Sequence, residues 1–181
     1  MHLMVDIETM ATSDNASIMA IGAAVFDAKT PPERGFYQTI SLNDIGNEHR
    51  EIDPKTVMWW LSQEKEAQNS LIAEETRKKF RETFLMFGEF VEKNLGKDGI
   101  WANGVSFDLG ILRHAFEQEN LPVPWRYNQE CCMRTFRLTE KYNIFDAKWK
   151  KFKKENSNFH NAVEDAYAQA CYVYDIIKEK E

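Results

Sequence analysis

Strand-like segments fill much of the first 41 residues, and strands alternate with helices after residue 99; that order points to a mixed sheet with helices packed on it. His2 to Glu8 is short and mostly apolar, and Ser17 to Asp27 is rich in Ile, Val and small residues. The turn signal Thr30-Pro31-Pro32-Glu33-Arg34-Gly35 leads into a third strand, Phe36 to Ser41, so strands two and three are expected to form an antiparallel hairpin. Asp53 followed by Pro54 marks a helix start, opening a stretch through Trp59, Trp60 and Leu61. Phe80, Phe84, Phe87 and Val91 fall at i, i+4, i+7 and i+11, one apolar face of another helix. A strand over Gly99 to Ala102 then feeds a helix from Phe107 to Gln118, stopped by Leu121-Pro122-Val123-Pro124. Tyr127 to Cys132 reads as a fifth strand, and Val163, Tyr167, Ala170, Tyr174 and Ile177 stripe a closing helix. No internal repeat or low-complexity linker interrupts this order. A chain of 181 residues, 43% hydrophobic, suffices for one substantial core, so residues 1–181 read as a single α/β domain.

The formal charge of -6 argues against a protein that coats nucleic acid through nonspecific phosphate contacts, since such proteins are usually basic. It leaves room for an enzyme acting on one strand end, where bound divalent cations and local basic segments supply positive charge. Lys148, Lys150, Lys151, Lys153 and Lys154 form one such segment; it reads first as a solvated surface and second as a grip on a strand. The N-terminus lacks the basic start, apolar core and small-residue cleavage site of a signal peptide. No apolar run approaches the roughly 20 residues that span a bilayer, Ile18 to Phe26 being the longest candidate. Cys131, Cys132 and Cys171 form neither an even disulfide set nor a CxxC pair and are expected to serve core packing. A cytoplasmic protein without a membrane partner is the resulting expectation.

In Met4-Val5-Asp6-Ile7-Glu8-Thr9 the two carboxylates stand two residues apart and project from one face of a strand. An apolar strand near the start of a sheet is a costly place for paired anions, and a divalent cation with hard oxygen ligands removes the repulsion. Solvated acids at a strand end give the same pattern, so the metal reading requires further acids to converge. Asp108, in Asn103-Gly104-Val105-Ser106-Phe107-Asp108, falls in the first turn of a helix. The macrodipole alone favours an acid there, by about 0.3–1 kcal/mol on an exposed helix. The carboxyl end of a strand is also where open α/β sheets place their sites, and Asn103 adds a polar group at that edge. In His160-Asn161-Ala162-Val163-Glu164-Asp165, Asn161 reads as an N-cap and Glu164 as the partner that completes a capping box. His160 is then the N′ residue and Asp165 the N4 residue, positions that pack together in a hydrophobic staple. Here the pair is an imidazole and a carboxylate, so a non-helical His160 can approach a site built on Asp165. The plain alternative is a surface His–Asp contact of little energetic value.

Taken in order, Asp-x-Glu, Asn-x-x-x-Phe-Asp and His-x-Ala-x-x-Asp resemble the DEDDh (DnaQ-like) exonucleases, the family of proofreading exonuclease subunits and related 3′-end trimming nucleases. The resemblance spans Asp6 to Asp165. It implies a ribonuclease-H-like five-stranded sheet of order 3-2-1-4-5 with strand 2 antiparallel. It further implies that Asp6, Glu8, Asp108 and Asp165 hold two Mg²⁺ or Mn²⁺ ions, with Asp6 bridging, and that His160 is the general base. The chemistry agrees: paired metals activate water and support the leaving oxygen, and an imidazole of ordinary pKa about 6.5 accepts a proton near neutrality. Val57-Met58-Trp59-Trp60 adds a weaker similarity to phage exodeoxyribonuclease A and related bacterial exoribonucleases. Substrate contacts are expected from Thr9, Met10, Asn103 and Trp60, with Met10 wedging against the terminal base and Trp59 or Trp60 stacking on an unpaired one. A core position for at least one of the adjacent tryptophans is the competing expectation. The expected substrate is the 3′ end of single-stranded DNA or RNA, degraded to nucleoside monophosphates. The rival readings are an oligonucleotide or nucleotide phosphodiesterase and a noncatalytic nucleic-acid-binding domain. A symmetric homodimer is a general expectation for a nuclease of this size.

Overall fold

Alternation along the first strand sends its residues to two different cores, one on each face of the sheet. The computed structural model describes residues 1–72, 77–139 and 160–178. The strands are β1 (His2–Thr9), β2 (Ile18–Phe26), β3 (Glu33–Thr39), β4 (Ile100–Ala102) and β5 (Glu130–Cys132). The helices are α1 (Ile45–Glu48), α2 (Pro54–Leu61), α3 (Lys65–Ile72), α4 (Phe80–Asn94), α5 (Asp108–Gln118), α6 (Met133–Thr139) and α7 (Ala162–Lys178). The sheet runs β3-β2-β1-β4-β5, with β2 antiparallel to both of its neighbours and β4 and β5 parallel to β1. This is the expected mixed five-stranded sheet. Leu3, Val5 and Ile7 of β1 pack with Phe80, Phe84, Phe87 and Val91 of α4 and with Leu109, Leu112 and Phe116 of α5. Met4 instead joins Ala166, Ala170 and Val173 of α7. Asp6 and Glu8 are in phase with Met4 and emerge on the α7 side.

All nine residues of β2 are buried, as a strand covered on both faces requires. Gly22 of β2 is paired with Asp6 of β1. A β-carbon at Gly22 would stand 2.1 Å from the Ala162 carbonyl carbon and 2.2 Å from the Val163 nitrogen. Glycine therefore lets the first turn of α7 rest directly on the sheet, beside the two β1 acids.

β3 begins inside the segment read as a turn. Asp27 closes the loop earlier, its Oδ1 accepting from the Lys29 and Thr30 amides at 2.9 and 2.7 Å, so Glu33 is already paired with Val25. The fifth strand shrinks to Glu130–Cys132, because Tyr127–Gln129 winds into a 3₁₀ turn. The Gln129 amide anchors that turn, donating to the Gly96 and Asp98 carbonyls at 3.2 and 2.9 Å. Asp53 caps α2 as expected, accepting from the Lys55 amide at 3.0 Å with Pro54 in the first turn. Buried Asn47 of α1 holds the Ile18 backbone as another strand would, accepting from its amide at 3.0 Å and donating to its carbonyl at 2.9 Å. Cys131, Cys132 and Cys171 are free and half-buried, and Cys131 packs against the core face that faces α7. No described helix is long and apolar enough to cross a membrane. The lysine-rich stretch from Lys148 to Lys154 lies outside the described residues.

Candidate active site

The carboxyl end of β1 and the N-terminal turns of α5 and α7 meet around a cavity of about 580 Å³. Asp6, Glu8, Asp108, Asp165 and His160 all line it. Glu8 and Asp108 are buried, and Asp6, Asp165 and His160 are half-buried. His160 has a left-handed backbone with φ of 65°, uncommon outside glycine and found chiefly where neighbours enforce it. That conformation keeps it off the helix. Its amide donates to Asp165 Oδ2 at 3.0 Å, and Asn161 Oδ1 accepts from the Val163 and Glu164 amides at 3.2 and 3.4 Å. A His160 ring nitrogen, a Glu8 oxygen and an Asp165 oxygen lie within 4.8 Å of one another. The imidazole meets the rings of Trp59 and Trp60 edge to face, with centroids 4.8 and 5.7 Å away.

Half of the expected capping box forms. Asn161 caps the helix, but the Glu164 carboxylate is taken by Arg34 of β3, whose Nε and Nη2 donate to it at 2.7 and 2.5 Å. A bidentate guanidinium offers a stronger, more directional partner than a single backbone amide. The result ties β3 to the turn that carries His160 and Asp165.

Burial is the first cause that raises the Asp6 pKa well above the carboxylate range, followed by Asp108, Glu8 and Asp165; a hydrogen bond from Gln169 opposes the rise. Glu8 is raised likewise, by burial and then by Asp165 and Asp108. Asp108 is pushed up to about 7 by burial, against the pull of backbone hydrogen bonds such as that from Gly104 and of the Arg134 charge. Among the described residues, no Lys or Arg stands within ion-pair distance of Asp6, Glu8 or Asp108. Asn103 Oδ1 and Gln169 Oε1 are buried at the cavity and lack a hydrogen-bond partner among those residues. Asp6, Glu8 and Asp108, crowded and without an ion-pair partner among the described residues, are flanked by amide oxygens that lack a hydrogen-bond partner there, a hard-oxygen donor set that suits divalent cations.

Thr9 and Asn103 line the cavity as expected. The Thr9 hydroxyl donates to the Ala11 carbonyl at 2.7 Å, so that proton is already committed. Met10 does not belong to the lining, because the strand register shifts at Glu8/Thr9 and its side chain packs with Met19, Trp60 and Ala67. Trp60 is 4% exposed and donates its indole N–H to the Thr9 carbonyl at 2.9 Å, which makes it a brace. Trp59, at 44% exposure, is the ring with an open face. Sequence reasoning missed Gln169 and Arg134. Gln169 Nε2 donates to Asp6 Oδ1 at 2.8 Å, and its position four residues after Asp165 was the available signal, since i and i+4 share a helix face. Arg134 reaches the cavity from the start of α6, a helix with no clear sequence signature.

Among solved structures, the chain is similar to the crystal structure of cell-death related nuclease 4 (CRN-4), with a TM-score of 0.62 and 16% identity. The match covers 98% of this chain and 64% of that one, and it identifies the fold as one used by a nuclease. No curated protein matches the sequence. Residues 1–177 match the model of the 3′-5′ exoribonuclease Rv2179c-like domain, and the chain belongs to that family.

Proposed function

We propose that this protein is a two-metal 3′-5′ exonuclease of the DEDDh type that shortens single-stranded nucleic acid to nucleoside monophosphates. The observation that carries the reading is the convergence of Asp6, Glu8, Asp108 and Asp165, from three separate elements, on one cavity that also receives His160. Asp6, Glu8, Asp108 and Asp165 would hold two Mg²⁺ or Mn²⁺ ions, which when bound offset about four negative charges, activate water and shield the scissile phosphate. His160 takes the proton of the attacking water on a ring nitrogen, a task suited to an imidazole near neutral pH. The edges of Trp59 and Trp60 hold that ring, and the left-handed backbone aims it. Gln169 fixes the Asp6 carboxylate on the floor of the site. Trp59 offers its open face to the terminal base, replacing Trp60 in that role. RNA is the favoured substrate, because the family is described as exoribonuclease, and the strand enters unpaired because its 3′ end must thread to the acids.

The test follows 5′-labelled single-stranded RNA and DNA with Mg²⁺ or Mn²⁺, with EDTA, and with Asp165→Ala. A ladder shortening from the 3′ end, lost in EDTA and in the variant, is the expected result. Cleavage confined to the shortest oligonucleotides would favour a phosphodiesterase, and intact strands under every metal condition would favour a noncatalytic binding domain. His160→Ala is expected to lower turnover by about 10²-fold or more while retaining Mn²⁺ binding by calorimetry. Unchanged turnover would remove His160 from the base role.

A further inference from the structure

Four of the eight described arginines are already spent. Arg34, Arg81 and Arg113 pair with Glu164, Glu119 and Glu130, and buried Arg50 is consumed by the Ala16 and Asp14 carbonyls and Gln118. Arg134 differs. It is exposed, it lines the cavity, and among the described residues it has no carboxylate within ion-pair distance. Its backbone is nevertheless anchored. The Arg134 amide donates to the Asn103 carbonyl at 3.2 Å, which fastens the root of the side chain to the end of β4. Its guanidinium lies against Gly104, where a β-carbon would stand 3.0 Å from Nη2, 3.4 Å from Cζ and 3.6 Å from Nη1. Glycine at that position leaves the planar group room to lie over the backbone. A guanidinium at a cavity wall, with no side-chain hydrogen bond among the described residues, suits a phosphate diester, which accepts two parallel N–H bonds.

The layout also selects which phosphate. Glu8, His160 and Asp165 cluster on the β1–α7 side, where the scissile bond must lie if the proposed exonuclease reading holds. Arg134 stands on the other wall, over the Gly104 whose amide donates to Asp108 Oδ2 at 3.4 Å. Trp59 occupies the α2 side beside His160. A strand whose terminal base meets Trp59 and whose last diester reaches the acids then continues past Asp108 toward Arg134. We infer that Arg134 binds the phosphate one step to the 5′ side of the scissile bond and so seats the strand; this inference rests on the exonuclease reading for its direction of threading.

The experiment is a cycle of protein and substrate changes, read by fluorescence anisotropy with Ca²⁺ in place of Mg²⁺. A labelled hexanucleotide is compared with one whose diester next to the scissile linkage is a neutral methylphosphonate, on wild type, Arg134→Gln and Arg134→Lys. Wild type is expected to bind the methylphosphonate strand about tenfold more weakly, as for loss of one charge-assisted contact. Arg134→Gln should bind the unmodified strand about tenfold more weakly, suffer no further loss with the methylphosphonate, and show a salt dependence reduced by about 0.7 in log–log slope. Arg134→Lys should recover the slope and only part of the affinity. Losses that multiply across the cycle, or an Arg134→Gln protein that binds like wild type with an unchanged melting temperature, would overturn the assignment. Wild type that leaves the unmodified strand intact in Mg²⁺, yet shows the non-multiplying cycle, would sink the exonuclease reading while leaving the phosphate contact in place.

Discussion

Gln169 spends one amide hydrogen on Asp6 and leaves its carbonyl oxygen at the cavity without a partner among the described residues, so it orients an acid without neutralising it. In the proposed metal site it would stand behind a ligand, where such groups typically contribute 10- to 100-fold in metal affinity. Gln169→Leu is expected to weaken Mn²⁺ binding by about that factor in a calorimetric titration while the fold is kept, because the replacement is apolar and of comparable size. An unchanged affinity would reduce Gln169 to packing. The acids themselves were legible in the sequence, since Asp6 and Glu8 on one strand face are costly without a cation and the His160–Asp165 spacing matches a staple made polar. The two tryptophans were not separable in advance. Adjacent residues on a helix point in different directions, and only the Thr9 carbonyl, brought near by the fold, decides that Trp60 is the buried one.

At the scale of elements, the site depends on how closely α7 approaches β2. Gly22→Ala would drive a methyl group into the Ala162–Val163 backbone. The overpacking is expected to cost about 3 kcal/mol. For a chain of this size the melting temperature should fall by about 6–12 °C. Gly88→Ala in α4 is the matched control: its nearest heavy atom beyond the local helix is 3.8 Å away, and alanine favours the helix by about 0.5–1 kcal/mol. Thermal melts of both variants check the pair, and a Gly22→Ala protein that melts with wild type would show that α7 can move without cost. Strand order and the main helices could be read from periodicity and turn residues. The fifth strand could be placed but not bounded, and α6 could not be read, because both depend on contacts remote in sequence. Gln129 anchors to Gly96 and Asp98, and Arg134 to Asn103. Arg34 likewise leaves the expected turn for β3, where Glu164 of α7 receives it.

For the molecule as a whole, the acids couple stability to pH and, under the proposed function, to metal. Asp6, Glu8 and Asp108 hold their protons more tightly in the fold than in the unfolded chain, and Asp108 does so up to about pH 7. Their contribution to stability is therefore fully present below the unfolded carboxylate pKa of about 4 and is lost as pH rises through the folded values. In EDTA the melting temperature is expected to fall as pH rises from about 5 to 7, and Asp108→Asn should flatten that slope. Mn²⁺ should raise the melting temperature more at pH 7 than at pH 5, because cations compete with protons for the same oxygens. A flat profile in EDTA would mean that water or rearrangement relieves the crowding. The alternation of β1 carries this further. Leu3, Val5 and Ile7 supply cohesion while Asp6 and Glu8 are left to the proposed chemistry, so the apolar core is built without the acids. Selection for activity and selection for stability thus pull in opposite directions at the same few side chains. A descendant that loses one acid to an amide gains a sturdier domain and keeps the walls of the cavity, so in evolution the change from enzyme to silent strand binder runs downhill.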